Sequence, residues 1–438
     1  MKEFNLDHLV GLGWKTIREL ETEQGILASH KEEIYGCIFG RDSLITILKL
    51  LRAVPYANSD SEHILVLSKK VLTTLASLQG KVVNIESGEE PGKCIHEYRL
   101  NNHEQLTVNL ERPWYVYDDG SMKNYDTVDA TPLFLIAIYR HLQASKDDGF
   151  VLQIMPNIEA ALNWVLNFGD SDNDGFIDYK FPPERTHGGL KTQSWMDSEE
   201  SIFHEDGTVP VYPIAPVEVQ AYAYLALRLW DDYFKEERPD FANLLKLRAD
   251  HLKENFNEKF VLKDGLENIE LAYAIDGTGK PLISPRSSMG HCLWASKNIK
   301  CDSEVDCIIE NQYIKNIADR LMQPDLFEPR AGIRTLSKRS KNYSPNSYHN
   351  GSIWPHDNSL IADGLEDLGF VQEGRRVKEA VIRAIQHFDT PIELFVFDGD
   401  NYADYCSRNG QLACKKQAWS AASILSMSVG LLSERAIG

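Results

Sequence analysis

The feature that most constrains this chain is an alternation. Two kinds of helical segment take turns along it, joined by connections that are alternately short and long. Apolar periodicity marks about twelve helices, near 7–24, 41–53, 61–79, 129–144, 150–168, 214–235, 240–257, 289–297, 303–322, 354–368, 371–388 and 415–433. Segments 41–53 and 129–144 are apolar nearly all round, as in Leu44-Ile45-Thr46-Ile47-Leu48 and Leu133-Phe134-Leu135-Ile136. Such helices are buried on most sides. Segments 61–79, 240–257 and 371–388 keep a polar face and belong outside. In the last of these, Val377, Ala380, Val381, Ala384, Ile385 and Phe388 follow the i, i+3, i+4 spacing of one helix face. Buried-to-outer connections are short, as at 236–239 and 369–370. Outer-to-buried connections are long: 80–128, 169–213, 258–288, 323–353 and 389–414.

Six inner helices ringed by six outer ones predict an all-α fold, an (α/α)6 double barrel formed as a single domain over residues 1–438. The long loops and the N-termini of the inner helices then share one rim. Loops longer than about 12–15 residues in a compact domain are usually functional, so five on one rim predict a built site. Charge restricts what that site binds. There are 65 acidic against 46 basic residues, a formal −19. This argues against a nucleic-acid or membrane-surface partner, since both need a basic face. The seven cysteines are scattered without a disulfide or metal spacing, which reads as reduced thiols in the cytoplasm.

Polar and aromatic clusters fall at the expected starts of the inner helices. They are Gly40-Arg41-Asp42, Val128-Asp129-Ala130, Pro216-Val217-Glu218-Val219-Gln220, Gly290-His291, Trp354-Pro355-His356-Asp357 and Gln417-Ala418-Trp419. Asp and Glu favour helix N-termini anyway, through capping and the macrodipole; six mixed clusters exceed that requirement. The loops add His96-Glu97, Trp195-Met196-Asp197, Gly332-Ile333-Arg334 and Glu393. Aromatic faces stack on sugar C–H groups while acids bind hydroxyls, so the expected partner is a carbohydrate. Glycoside cleavage needs one carboxylic acid and a second carboxylate. Asp197 and Glu393 are the best pair by loop position. No cofactor or metal is called for. The run Asp170-Ser171-Asp172-Asn173-Asp174-Gly175-Phe176-Ile177-Asp178 matches half of a calcium loop, but its twelfth position is Phe181. An Asx-rich turn is the preferred reading, with a weak structural calcium site at 170–178 as the alternative.

Several runs together resemble the catalytic domain of amylo-α-1,6-glucosidase and related glycogen-debranching proteins, within the wider (α/α)6-barrel glycosidases. They are Phe39-Gly40-Arg41-Asp42-Ser43, Val128-Asp129-Ala130-Thr131-Pro132, Ser194-Trp195-Met196-Asp197-Ser198, Tyr348-His349-Asn350-Gly351-Ser352-Ile353-Trp354-Pro355-His356-Asp357-Asn358 and Ile392-Glu393-Leu394-Phe395. The resemblance implies an inverting exo-glycosidase, with Asp197 as general acid and Glu393 as general base. It also implies that Arg41, Asp42, Glu97, Asp129, Glu218, Trp354 and His356 line the sugar pocket. His96, Trp195, Gln220, Arg334, Asp357 and Trp419 complete the expected substrate-binding set. An inverting pair should lie roughly 6.5–9.5 Å apart, with Asp197 raised in pKa and Glu393 ionised. Many relatives carry a β-rich domain ahead of the barrel, whereas this pattern starts almost at residue 1; a preference for small oligosaccharides or glycosides is the expectation. The alternatives are a hexosylglycerate hydrolase, with Lys93, Lys191 or Arg334 holding the acid, and a non-catalytic sugar-binding barrel.

Overall fold

A computed structural model describes residues 4–56, 60–264, 268–297 and 305–437. Among them are twelve helices of seven residues or more, in the expected order. They are α1 (Leu6–Leu20), α2 (Gly40–Ala53), α3 (Ser61–Ser77), α4 (Ala130–Ser145), α5 (Met155–Asn167) and α6 (Val217–Phe234). Then come α7 (Pro239–Lys259), α8 (Ser288–Trp294), α9 (Asn311–Leu321), α10 (Pro355–Asp367), α11 (Val371–Phe388) and α12 (Ala418–Ile437). The even-numbered helices pack on one another in sequence, α2 on α4, α4 on α6, and so on to α12, which packs back on α2. The odd-numbered helices lie against them: α1 on α12, α3 on α2 and α4, α7 on α6, α11 on α10 and α12.

The cause is the pattern of apolar faces. In α2 and α10 nearly every residue is buried. In α11 only Gly374, Val377, Lys378, Ala380, Val381, Ile382, Ala384 and Ile385 are buried, a single stripe. Fully burying one Val or Ile side chain is worth about 1.5–3 kcal/mol, so each outer helix is held chiefly by such a stripe. The main apolar cluster is continuous from Leu6 to Leu431.

Several expectations need correction. The fold is not purely helical: short strands sit at the starts of the inner helices. Ile38–Phe39, Glu97–Arg99 and Met122–Asn124 form a three-stranded sheet in that order, with Phe39 opposite Glu97. Ile214–Pro216 pairs with Ala274–Asp276 just before α6. Strands of two to four residues carry too few alternations to be read from sequence. The segment near 150–168 is two helices, Asp148–Gln153 and α5, because Pro156 in the first turn of α5 has no N–H to continue the first. The helix expected at 7–24 ends at Leu20 in a hairpin, and that at 289–297 ends at Trp294 before a strand. The first residues of the expected 303–322 helix, and Cys301, lie outside the described residues; the helix starts at Asn311. The six described cysteines are unpaired. No described helix is long and apolar enough to cross a membrane.

Candidate active site

The strands at the rim set the side chains. Gly40 donates its amide to His96 O at 2.9 Å, and a Cβ there would stand 2.0 Å from Ile95 O. Only glycine allows that approach, which puts Arg41 and Asp42 beside His96 and Glu97. Arg41 then bridges two acids. Its Nη1 donates to Asp129 Oδ2 at 2.9 Å and its Nη2 to Asp197 Oδ2 at 2.6 Å. Asp129 also accepts from Thr127 Oγ1.

The segment Tyr348–Trp354 joins the two catalytic candidates. Tyr348 Oη donates to Glu393 Oε1, and His349 Nδ1 lies 2.8 Å from Ser198 Oγ, next to Asp197. Glu393 Oε2 accepts from the Cys414 amide at 2.8 Å, so the carboxylate is held at both oxygens. Buried Arg286 fastens the two loops, donating to Ser201 O at 2.6 Å and His349 O at 2.8 Å. Beneath lies an aromatic floor. Trp195 stacks over His291, His349 over Trp354, and His356 lies flat on Trp419 with centroids 3.7 Å apart.

These groups enclose a cavity of about 250 Å3. Of the expected residues, Arg41, Asp42, His96, Glu97, Trp195, Asp197, Trp354, Glu393 and Trp419 line it together. Six others do not. Asp129 stands behind Arg41. His356 lies under Trp419, and Asp357 pairs with His291 Nε2 at 2.8 Å. Glu218 faces a separate small void with Tyr179 and Arg286. Gln220 is a clasp: its Nε2 donates to Ile177 O at 2.7 Å and its Oε1 accepts from the Ile177 amide. Arg334 donates to Leu326 O and pairs with Glu328, away from the cavity. Position at a helix start distinguishes the rim from the rest of the molecule, but not a pocket wall from the layer behind it. The reading also passes over Tyr35, Arg99, Tyr348, His349 and Gln417, which line the cavity; Tyr348, His349 and Gln417 stand inside the very runs that pointed to it.

Electrostatics follow from burial with few cations. Burial raises Asp197 to about 6; Arg41 pulls it down and Asp129 pushes it up. Burial raises Glu393 to about 7, against the hydrogen bonds from Tyr348 and the Cys414 amide. Asp42 is raised to about 7 by burial, with Arg41 opposing. The expected rise at Asp197 is present, but Glu393 is raised as well, because its partners are neutral donors and not cations. His96 and His356 are held well below the usual histidine range by burial, with Arg41 adding to the effect on both.

The 170–178 loop is an Asx turn. Asp170 accepts from the amides of Asp174 and Gly175, and Asp178 from that of Ser171. Carboxylate oxygens of Asp170, Asp172 and Asp174 lie within 4.8 Å of one another. Arg248 supplies positive charge there, donating to Gly175 O at 3.0 Å with Asp170 at 3.8 Å.

With this geometry in hand, comparison with known proteins is informative. In three dimensions the chain is similar to the GH63 mannosylglycerate hydrolase from Thermus thermophilus in complex with Tris, at 12% identity over 95% of this chain and 99% of that one, TM-score 0.64. The same hydrolase in complex with glucose aligns at 14% identity over the same shares, TM-score 0.63. A wild-type glycosidase aligns at 13% identity over 97% and 98%, TM-score 0.57. Identities this low speak for a shared fold. No curated protein matches in sequence. The sequence pattern of the amylo-alpha-1,6-glucosidase family matches residues 74–426. The chain therefore belongs to the amylo-alpha-1,6-glucosidase family and is a glycoside hydrolase.

Proposed function

We propose that the protein is an inverting, exo-acting α-glucosidase of the debranching type, acting on α-glucosides or oligosaccharides in the cytoplasm. Its ring of helices is read as a single-domain (α/α)6 double barrel. Asp197 protonates the glycosidic oxygen as the C1–O bond breaks. Glu393 takes a proton from the water whose oxygen bonds to C1 on the opposite face. The observation that carries the reading is one cavity lined by two loop carboxylates in different settings. Asp197 is held by a cation already shared with Asp129. Glu393 is gripped at both oxygens by neutral donors, which orient it and favour its ionised form.

The hexosylglycerate alternative draws on the fold likeness to a mannosylglycerate hydrolase. Against it, Lys93, Lys191 and Arg334 do not line the cavity. Lys191 pairs with Glu199 at the surface and Lys93 with Glu90. A glycerate carboxylate would meet Asp42, Glu97, Asp197 and Glu393 with no uncommitted cation among the lining residues.

With Asp197 near 6 and Glu393 near 7, the competent form, acid protonated and base ionised, is a minority of free enzyme. kcat/KM is then flat between about pH 6 and 7 and falls on both sides. A screen over maltose, isomaltose, panose and glucosylglycerate, with NMR of the first product anomer, tests the reading. β-Glucose released from an α-glucoside is the expected result. Retained configuration, or glucosylglycerate as the best substrate, would overturn it.

A further inference from the structure

The cavity has two layers of opposite chemistry. Its floor is buried and sets the polar side chains of Arg41, Asp42, His96, Glu97, Glu393 and Gln417 among the rings of Trp195, Trp354 and Trp419. Buried polar groups need partners, and a sugar ring offers hydroxyls to such side chains and C–H faces to the rings. The glycone therefore belongs on the floor. The upper wall is half-buried or exposed and consists of Ile34, Leu106, Trp114 and Leu190 with Gln105 and Gln411; the lining residue Arg99 is itself buried.

That collar is built, not incidental. Its apolar members come from three separate segments: the loop before α2, the stretch after Arg99, and the loop after α5. The second segment is braced on the third. Gly188 donates its amide to Pro113 O at 3.0 Å, and Arg112 donates to Arg185 O with its guanidinium 5.5 Å from the Phe181 ring; within the second segment Trp114 donates its amide to Leu106 O at 2.8 Å. Arg99 is fully engaged by Glu97, by Ile34 O at 2.7 Å and by Asn102 O at 3.1 Å. Beyond the floor, then, a leaving group meets aliphatic and indole surface, two neutral amides and no free positive charge among the described residues.

We propose that this collar is a leaving-group site for an uncharged, largely apolar aglycone, so that the enzyme's preferred substrates are small alkyl- or aryl-type glycosides. The proposal rests on the assignment of Asp197 and Glu393 given above, and narrows it. Anionic aglycones are excluded by the surplus of carboxylates. Among the described side chains of the collar, a further sugar unit would find only Gln105 and Gln411 uncommitted for its hydroxyls.

The test uses methyl, butyl and hexyl α-glucosides, whose leaving groups differ little in acidity, together with isomaltose and glucosylglycerate. kcat/KM should rise about two- to fourfold per added methylene while the chain lies in the collar. Leu106→Gln and Leu190→Gln should each lower the hexyl-to-methyl ratio at least fivefold. A flat or falling series, or glucosylglycerate turned over faster than the hexyl glucoside, would overturn the proposal. Calorimetry with methyl and hexyl thioglucosides separates the two claims, because it requires no turnover. Tighter hexyl binding without hydrolysis of any glycoside keeps the collar and removes the acid–base assignment. Equal binding of the two thioglucosides removes the collar.

Discussion

Buried acids occur at both ends of the inner helices, and they behave in opposite ways. Glu393 at the rim and Asp363 in the C-terminal half of α10 are each 2% exposed. Burial raises Glu393 to about 7. Asp363 is held below the usual carboxylate range, because Arg52, Lys49 and Lys378 together outweigh the same burial. Lys49 Nζ donates to it directly and Arg52 Nε lies 3.1 Å away. Around Glu393 the donors are a phenol and an amide. Equal burial with different cation supply thus yields one acid that keeps its charge and one that can exchange a proton near neutrality. The first holds α2 to α10 across the interior. The second suits a step that moves protons.

The comparison breaks first at the rim. Asp197→Asn and Glu393→Gln should each lower kcat by about 100-fold or more, with melting temperatures equal to or above that of the parent. Near-normal turnover in either variant removes that residue from its role. At the far end, Asp363→Asn should do the reverse. It leaves Lys49, Arg52 and Lys378 around a neutral group, and breaking a buried pair costs about 3–5 kcal/mol. Turnover per folded molecule should stay near the parental value. Urea unfolding and active-site titration read the two effects separately. A large loss of kcat with little loss of stability would mean that the two ends are coupled.

The two ends also differ in how far the sequence exposes them. The rim acids stand at a helix start, as Asp42 does, or in long rim loops, as Asp197 and Glu393 do, and a reading by position finds all three. The far-end network is not visible that way. Lys49 and Asp363 sit inside apolar helices, 314 positions apart, and meet only when α2 and α10 approach. The helix alternation was legible because it repeats over whole segments. The strand Ile38–Phe39 was not, since two residues show no period, yet it aims Arg41 and Asp42. Gln220 and Arg334 mislead for a related reason. Both are polar residues in rim segments, yet their hydrogen bonds go to the backbone of Ile177 and Leu326, partners 43 and 8 positions away.

Stability as a function of pH sharpens the contrast with a smaller signal. A carboxyl raised above its unfolded value, about 4.3 for Glu, favours folding while protonated. That contribution is complete below about pH 4 and is lost as pH rises through about 7. Glu393→Gln should therefore gain melting temperature relative to the parent between pH 4 and 7. Asp363 has the opposite sign. Its contribution is present above about pH 3.9 and is lost as pH falls through its lower folded value, so the deficit of Asp363→Asn should shrink in acid. Parallel curves for the two variants from pH 3 to 8 would contradict the difference between the ends.

The smallest effect tests what holds Glu393 below the value that burial alone would impose. Tyr348 donates to its Oε1, and that hydrogen bond opposes burial. Tyr348→Phe keeps the ring packed on Trp354, at 4.9 Å between centroids, and deletes only the hydroxyl, which donates to Glu393 and lies 3.2 Å from Tyr35 Oη. Glu393 should then rise further. With Glu393, the proposed base, titrating above Asp197, the proposed acid, a rise does two linked things: the upper break in kcat/KM moves to higher pH, and the flat region falls by the same factor. A displacement of less than one pH unit and a loss of up to about tenfold are expected. A loss of rate with the break unmoved would show that Tyr348 positions the carboxylate by packing, and that the proton affinity of Glu393 is set by burial and Cys414 without it.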